Sequence, residues 1–332
     1  MDAVLILTIL VVIFALGFDF INGFHDTANA IATSVSTRAL SPRVAVILAA
    51  TMNFIGALTF TGVAKTISKD IVDPFTLQNG SLIILAALLS AIAWNLITWY
   101  FGIPSSSSHA LIGSIAGAAV SAAGLGVLNY EGFIKILQAL LISPFLALAV
   151  GFLMMSLFKV LFKKNTLYKT NKGFRIFQIG TAALQSFTHG TNDAQKAMGI
   201  ITMALIAADL QTTDDIQMWV RVCAALAMGL GTSIGGYKII KTVGGKIMKI
   251  RPVNGAAADL SSALIIFGAT TIHLPVSTTH VISSAIMGVG SAQRVKGVKW
   301  GVARKIVLTW VITLPICAVL AGIFYQILNL FF

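Results

Sequence analysis

Charge is what this sequence has least of. Only 10% of its 332 residues are Asp, Glu, Lys or Arg, against about 25% in a soluble domain. Just 11 of them are acidic. A chain this poor in charge cannot coat itself for water, which excludes a cytosolic enzyme and a disordered regulator. Cysteine is scarce too. Cys223 and Cys317 both lie inside apolar stretches, so they give neither a disulfide framework nor a zinc spacing. What the chain does have is hydrophobic residues, at 57%, with a mean hydropathy of +0.91. The composition predicts an all-α polytopic membrane protein, because β-barrel strands would alternate in segments of about ten residues.

Apolar segments cover 3–18, 25–37, 43–64, 80–101, 109–128, 133–162, 175–188, 194–208, 216–240, 255–272, 279–291 and 302–332. Met1-Asp2-Ala3 carries no basic n-region, so the first run is expected to be retained rather than cleaved. Segments 25–37 and 194–208 are too short to span a bilayer alone, and both follow a polar knot. Such interruptions at matching places in two halves mark a transporter binding site.

The halves match in order. Asn22-Gly23-Phe24-His25-Asp26-Thr27-Ala28-Asn29-Ala30 recurs 167 residues on as His189-Gly190-Thr191-Asn192-Asp193-Ala194-Gln195-Lys196-Ala197. Ile103-Pro104-Ser105-Ser106-Ser107-Ser108-His109 recurs 171 residues on as Leu274-Pro275-Val276-Ser277-Thr278-Thr279-His280. The reading is a duplication, with 1–162 as the first inverted repeat, 163–174 as a basic cytoplasmic linker and 175–332 as the second. Each repeat is expected to hold a broken helix and a re-entrant helical hairpin.

The net charge of +12 predicts topology rather than a nucleic-acid partner, because the basic residues sit in short loops. Eighteen of the 23 Lys and Arg fall on one predicted face: Arg38 and Arg43; Lys159, Lys163, Lys164, Lys169, Lys172 and Arg175; Lys238, Lys241, Lys246, Lys249 and Arg251; Arg294, Lys296, Lys299, Arg304 and Lys305. Lys65, Lys69, Lys135 and Arg221 fall on the other, with Asp2, Asp70, Asp73, Glu131, Asp209, Asp214 and Asp215. Each half then makes three net crossings, so the repeats are inverted and both termini are expected outside the cell membrane.

Four acids and all five histidines remain at membrane depth: Asp19, Asp26, Asp193, Asp259, His25, His109, His189, His273 and His280. Ionisable groups there are costly and are functional by default. Asn22, Asp26, Thr27, Gln185, Thr188, Asn192, Asp193 and Asp259 offer carboxylate, amide and hydroxyl oxygens, which suit a small hard cation such as Na⁺. Proline ends the incoming helix of each hairpin, and hydroxyl residues open the outgoing one. The N–H groups of Ser107, Ser108, His109, Thr278, Thr279 and His280 are expected to be unpaired there, where a helix N-terminus binds anions. Ser105, Ser106, Ser107, Ser108, His109, Ser277, Thr278, Thr279, His280, Asn29 and Lys196 are the candidate substrate-binding set. Facing tips suit a tetrahedral oxyanion. The two aspartates would repel it unless cations bind with it, which implies symport.

At these motifs the chain resembles the inorganic phosphate transporter family, often called PiT. Gly23 to Asn29 and Gly190 to Asp193 look like its duplicated Gly-x-Asn-Asp signature, and Pro104 to His109 and Pro275 to His280 look like its tips. The resemblance implies a bacterial or archaeal-type symporter importing inorganic phosphate with Na⁺ or H⁺, with no cofactor beyond the coupling ion. A homodimer is left open. His25 stands where many members have asparagine, and Asn53 where eukaryotic members tend to have glutamate. Proton-coupled uptake of phosphate or metal phosphate is the alternative within transport. An intramembrane hydrolase at Ser107 or Ser108 is disfavoured, because adjacent Ser108 and His109 do not face each other on a helix. An anion channel is disfavoured by the paired carboxylates.

Overall fold

A computed structural model describes residues 3–72, 80–164, 166–234 and 236–331. Asp2 and Asp73, expected on the acidic face, lie outside the described residues. The described chain is helical. In the first repeat the helices are α1 (Ala3–His25), α2 (Thr27–Ser36), α3 (Pro42–Thr59), α4 (Gly62–Lys69), α5 (Gly80–Phe101), α6 (Ser107–Ala123) and α7 (Tyr130–Leu161). The helices that follow are α8 (Leu167–Ala207), α9 (Met218–Ile234), α10 (Tyr237–Lys241), α11 (Pro252–Thr271), α12 (Thr278–Gln293) and α13 (Trp300–Leu328). α8 begins inside the stretch expected as a linker, 163–174, most of which is therefore helix. Six described helical stretches are long and apolar enough to cross a membrane, and the pair Met218–Ile234 and Tyr237–Lys246, bent by 63°, passes the same test only when counted as one span.

Local chemistry sets the ends. Ser41 caps α3 with Pro42 behind it, and the Asn129 side chain accepts from Gly132 N to start α7. The duplication is visible in the backbone. Arg38 and Asp209 both take positive φ, 58° and 56°, where α2 and α8 end. Gly102 (65°) and His273 (60°) do the same at the two hairpin apexes. These left-handed residues let the chain reverse while the last carbonyls stay bonded: Ala39 N donates to Ser34 O, and Leu210 N to Leu205 O, both at 2.9 Å. Asn129 N donates to Ile71 O at 3.0 Å, and Lys299 N to Ile247 O at 2.8 Å.

The two polar knots do not break the helices equally. At Asp26 the interruption is a single residue with helical φ and ψ of −89° and −34°. In the second repeat α8 runs unbroken from Leu167 to Ala207, so 194–208 is the end of a long helix rather than a separate short one. Several knot side chains find partners on other helices, among them Asp26 with Ser107 and Thr279, Asn192 with Thr270 and Gln195 with Ala64 N. The knot glycines serve close packing instead: a Cβ on Gly190 would meet the Asn53 backbone, and one on Gly23 the Met228 carbonyl.

The repeats interlock rather than fold side by side. α6 of the first packs along α13 of the second, and α12 of the second along α7 of the first. Lipid tails are as apolar as leucine, so these contacts depend on close fit. Gly117 lies against the Ala318 carbonyl and Gly288 against the Leu148 carbonyl, with no room for a Cβ. Phe145 (75% exposed) and Val160 (74%) face outward on α7, as a lipid-facing surface requires.

Charge is sorted between the two ends. Lys159, Lys249, Arg251 and Arg294 line one cleft, and Lys159 Nζ donates to Ala292 O at 3.0 Å. At the other end Lys69 pairs with Asp214 at 2.6 Å and Lys65 with Asp215 at 2.7 Å. The first hairpin arms cross nearly to the opposite end: Thr242 Oγ1 donates to Gly102 O at 3.0 Å, and Thr66 Oγ1 to His273 O at 2.7 Å. Residues 103–106 and 274–277 are non-helical and lead into the tips, with Ser106 and Ser277 in extended conformation.

Candidate functional site at the hairpin tips

The tips open with matching caps. Ser106 Oγ accepts from His109 N at 3.1 Å, and Ser277 Oγ accepts from His280 N at 3.2 Å. These two N–H groups, expected to be unpaired, are therefore satisfied, because a serine at the N-cap reaches the third residue of its helix. The first-turn N–H groups of Ser107, Ser108, Thr278 and Thr279 have no acceptor within their helices. The tips touch: Ser108 Oγ donates to Val276 O at 2.8 Å, and the His109 and His280 rings lie 4.4 Å apart.

The paired aspartates sit against these tips, both buried. Asp26 accepts from Ser107 Oγ at 2.5 Å and from Thr279 Oγ1 at 2.9 Å, one hydroxyl from each hairpin. His25 Nδ1 lies 2.7 Å from its Oδ1. Asn29 Nδ2 donates to Thr279 Oγ1 at 2.8 Å. Asp193 accepts from Thr278 Oγ1 at 3.1 Å, and its other oxygen pairs with Lys196 Nζ at 2.7 Å. His189 Nε2 lies 3.3 Å from Asp193 and its Nδ1 lies 2.9 Å from Asn53 Oδ1. Asn53 and Thr232 both donate to Thr27 Oγ1 at 3.1 Å. Asp26, Asn29, Asp193, Lys196, Ser107, Thr278 and Thr279 thus form one connected centre.

Other candidates lie at its margin. Ser105 Oγ is 2.7 Å from Thr98 Oγ1, which is itself 3.2 Å from His25 Nε2. Asn192 holds the second tip, donating to Thr270 Oγ1 at 3.1 Å and accepting from Val276 N at 3.3 Å. Thr188 Oγ1 donates back to its own helix at Gln185 O. The oxygens of Asp19 and both polar side-chain atoms of Asn22 are buried with no hydrogen-bond partner among the described residues.

Gln185 and Asp259 belong to a second cluster, which corrects their expected grouping with the aspartate pair. Ser262 Oγ donates to Gln185 Oε1 at 2.8 Å; Asp259 accepts from Thr33 Oγ1 at 2.6 Å and Thr181 Oγ1 at 3.2 Å. Because α8 is continuous, Gln185 stays about 12 Å along the helix from Asp193. The sequence reading missed Thr33, Thr98, Thr181 and Thr232. Intramembrane hydroxyls were the only available signal, and most of those bond to their own helix.

An interlocked helical membrane protein with two polar hairpin tips meeting a buried aspartate pair belongs to the class of inverted-repeat transporters. Comparison with known proteins narrows the class. The phosphate transporter family profile matches residues 22–321. The chain is 72% identical over the full length of both chains to a probable low-affinity inorganic phosphate transporter of Bacillus subtilis. It is 44% identical to one of Rhizobium meliloti, with 98% of each covered. A solved structure described as the sodium-dependent phosphate transporter superposes with a TM-score of 0.88 at 26% identity, over 98% of this chain and 100% of that one. The chain belongs to the phosphate transporter family, and is a transporter rather than an enzyme.

Proposed function

We propose that this protein imports inorganic phosphate across the cell membrane by symport with Na⁺. Phosphate is held at the hairpin tips by the Ser107, Ser108, Thr278 and Thr279 N–H groups and hydroxyls, and Na⁺ by oxygens around Asp26. Both termini lie outside and residues 163–174 face the cytoplasm. The observation that carries the reading is that Ser107 and Thr279, first-turn hydroxyls of opposing tips, converge on the one carboxylate of Asp26. Unit like charges about 4 Å apart repel by about 4 kcal/mol at an effective dielectric constant of about 20. An anion at these tips therefore needs a cation beside the carboxylates, and the two must bind together. The name of the solved relative supports Na⁺ as that cation.

His25 and His189, each close to one aspartate, favour a second reading in which protons are the coupling ions. Phosphate uptake into proteoliposomes at fixed pH, with an inward Na⁺ gradient or choline in its place, separates the two. Uptake driven by Na⁺ alone is expected. Uptake indifferent to Na⁺ but driven by a pH gradient would replace the first reading with the second.

A further inference from the structure

Asp26 and Asp193 occupy matching turns, yet their surroundings differ by one charge. Three residues after Asp26 stands Asn29; three residues after Asp193 stands Lys196. The Lys196 ammonium lies 2.7 Å from Asp193 Oδ1 and 3.3 Å from Ser107 Oγ, the hydroxyl that also donates to Asp26. Lys196 is only 1% exposed, so it is not snorkelling to water. In the first repeat Asn29 gives its Nδ2 to Thr279 and leaves its Oδ1 buried with no hydrogen-bond partner. An unpartnered amide oxygen beside a carboxylate is ligand chemistry for a hard cation. An ammonium in the same place is itself the cation.

We infer that Lys196 is a tethered cation that fills the Asp193 position in place of a mobile one. Mobile coupling cations then bind on the Asp26 side alone, and the protein moves one fewer per phosphate than a symmetric pair would need. The identity of the mobile ion rests on the Na⁺ reading above; the tethered charge does not. Lys196 also donates to Ser107 Oγ at 3.3 Å, so the neutral ion pair touches the first hairpin tip whether or not mobile cations are bound.

The test is Lys196→Asn, which copies the first repeat. Purified wild type and variant are reconstituted, and radiolabelled sodium and phosphate fluxes are measured together. The variant is expected to move one more Na⁺ per phosphate, with a steeper Na⁺ dependence. Lys196→Arg should keep the wild-type ratio. In Asp193→Asn/Lys196→Asn, where no charge is left to neutralise, the extra Na⁺ should disappear. An unchanged ratio in a transporting Lys196→Asn, or transport lost at every Na⁺ concentration, overturns the inference. If the single variant is monodisperse in NaCl but not in choline chloride, Na⁺ has replaced the ammonium, as expected; aggregation in both salts overturns it. The Na⁺ reading fails separately, through wild-type uptake that ignores Na⁺. A Lys196→Asn protein that then acquires a Na⁺ requirement still upholds the tethered cation.

Discussion

The two aspartates show how a duplicated sequence can give unequal halves. Asp26 is held by hydroxyls from both hairpins and by His25. Asp193 is held by one hydroxyl and an ammonium, with His189 beside it. Thr279 reaches across to Asp26, whereas its counterpart Ser108 donates to the Val276 carbonyl instead of reaching Asp193. The first centre is neutral hydrogen bonding around a carboxylate, and the second is a buried ion pair. Inverted symmetry sets the scaffold, and single substitutions such as Asn29 against Lys196 decide which half carries a free charge.

The largest effect expected from breaking this difference is at the second centre. Asp193→Asn leaves the Lys196 ammonium buried without its counter-ion, a change that costs about 3–5 kcal/mol. It should lower thermal stability in detergent markedly. Asp26→Asn removes no partner of a fixed cation, so that protein should stay folded but lose most Na⁺-driven uptake. Equal melting temperatures for the two variants would show that the ion pair does not distinguish the halves.

Proline at the tips comes next. Ser108→Pro and Thr279→Pro each delete a first-turn N–H, a position where a helix tolerates proline. Phosphate binding to either monodisperse variant should fall far more than in Ser108→Ala or Thr279→Ala. Equal binding by Pro and Ala variants would remove the backbone N–H groups from the anion site.

Single hydroxyls are worth less. Ser107→Ala removes a donor to Asp26 and a partner of Lys196, while Thr278→Ala removes one donor to Asp193. A hydrogen bond to a charged group contributes about 1.5–3 kcal/mol, so both variants should weaken phosphate affinity, Ser107→Ala the more. The reverse order in a binding titration would place the anion nearer the second centre.

The smallest effect is at the acidic end, where the same Lys–Asp chemistry meets water. The hydrogen bond from Lys69 holds the Asp214 carboxyl below its usual range, against a smaller desolvation effect. That stabilisation is present above the ordinary carboxylate pKa and is lost as pH falls through the lowered value. The Lys69 and Asp214 side chains are 48% and 28% exposed, so Asp214→Asn should cost about 0.2–1 kcal/mol at neutral pH and nothing in strong acid. A loss approaching that of Asp193→Asn would show that burial does not separate the two pairs.

Much of the site was legible from residue types alone. Asp26 and Asp193 were marked by carboxylates in apolar runs, and the tips by proline followed by hydroxyls. Both motifs appear twice, which is why they could be matched without coordinates. The sequence groups Gln185 with the aspartates because it is near Asp193, but α8 is continuous there and carries it away along the helix; Asp259, on α11, is grouped with them by residue type alone. Thr33 and Thr181 carry no marker, since a membrane threonine usually bonds to its own turn.

By itself the sequence determined the class of protein, the duplication and the residue types of the candidate centre. Low charge excludes a water-facing surface, and the basic residues sort to one set of loops. Only the tertiary structure decided that the repeats interlock, α6 on α13 and α12 on α7, because helix pairing in lipid depends on which glycine meets which backbone. It alone decided which hydroxyl reaches which carboxylate, since that is set by where two tips from distant parts of the chain meet. Lys196 was visible as a cation at membrane depth, three residues after Asp193 and so within reach of it on a helix; its 3.3 Å contact with Ser107 Oγ of the first tip is what only packing between the repeats could fix.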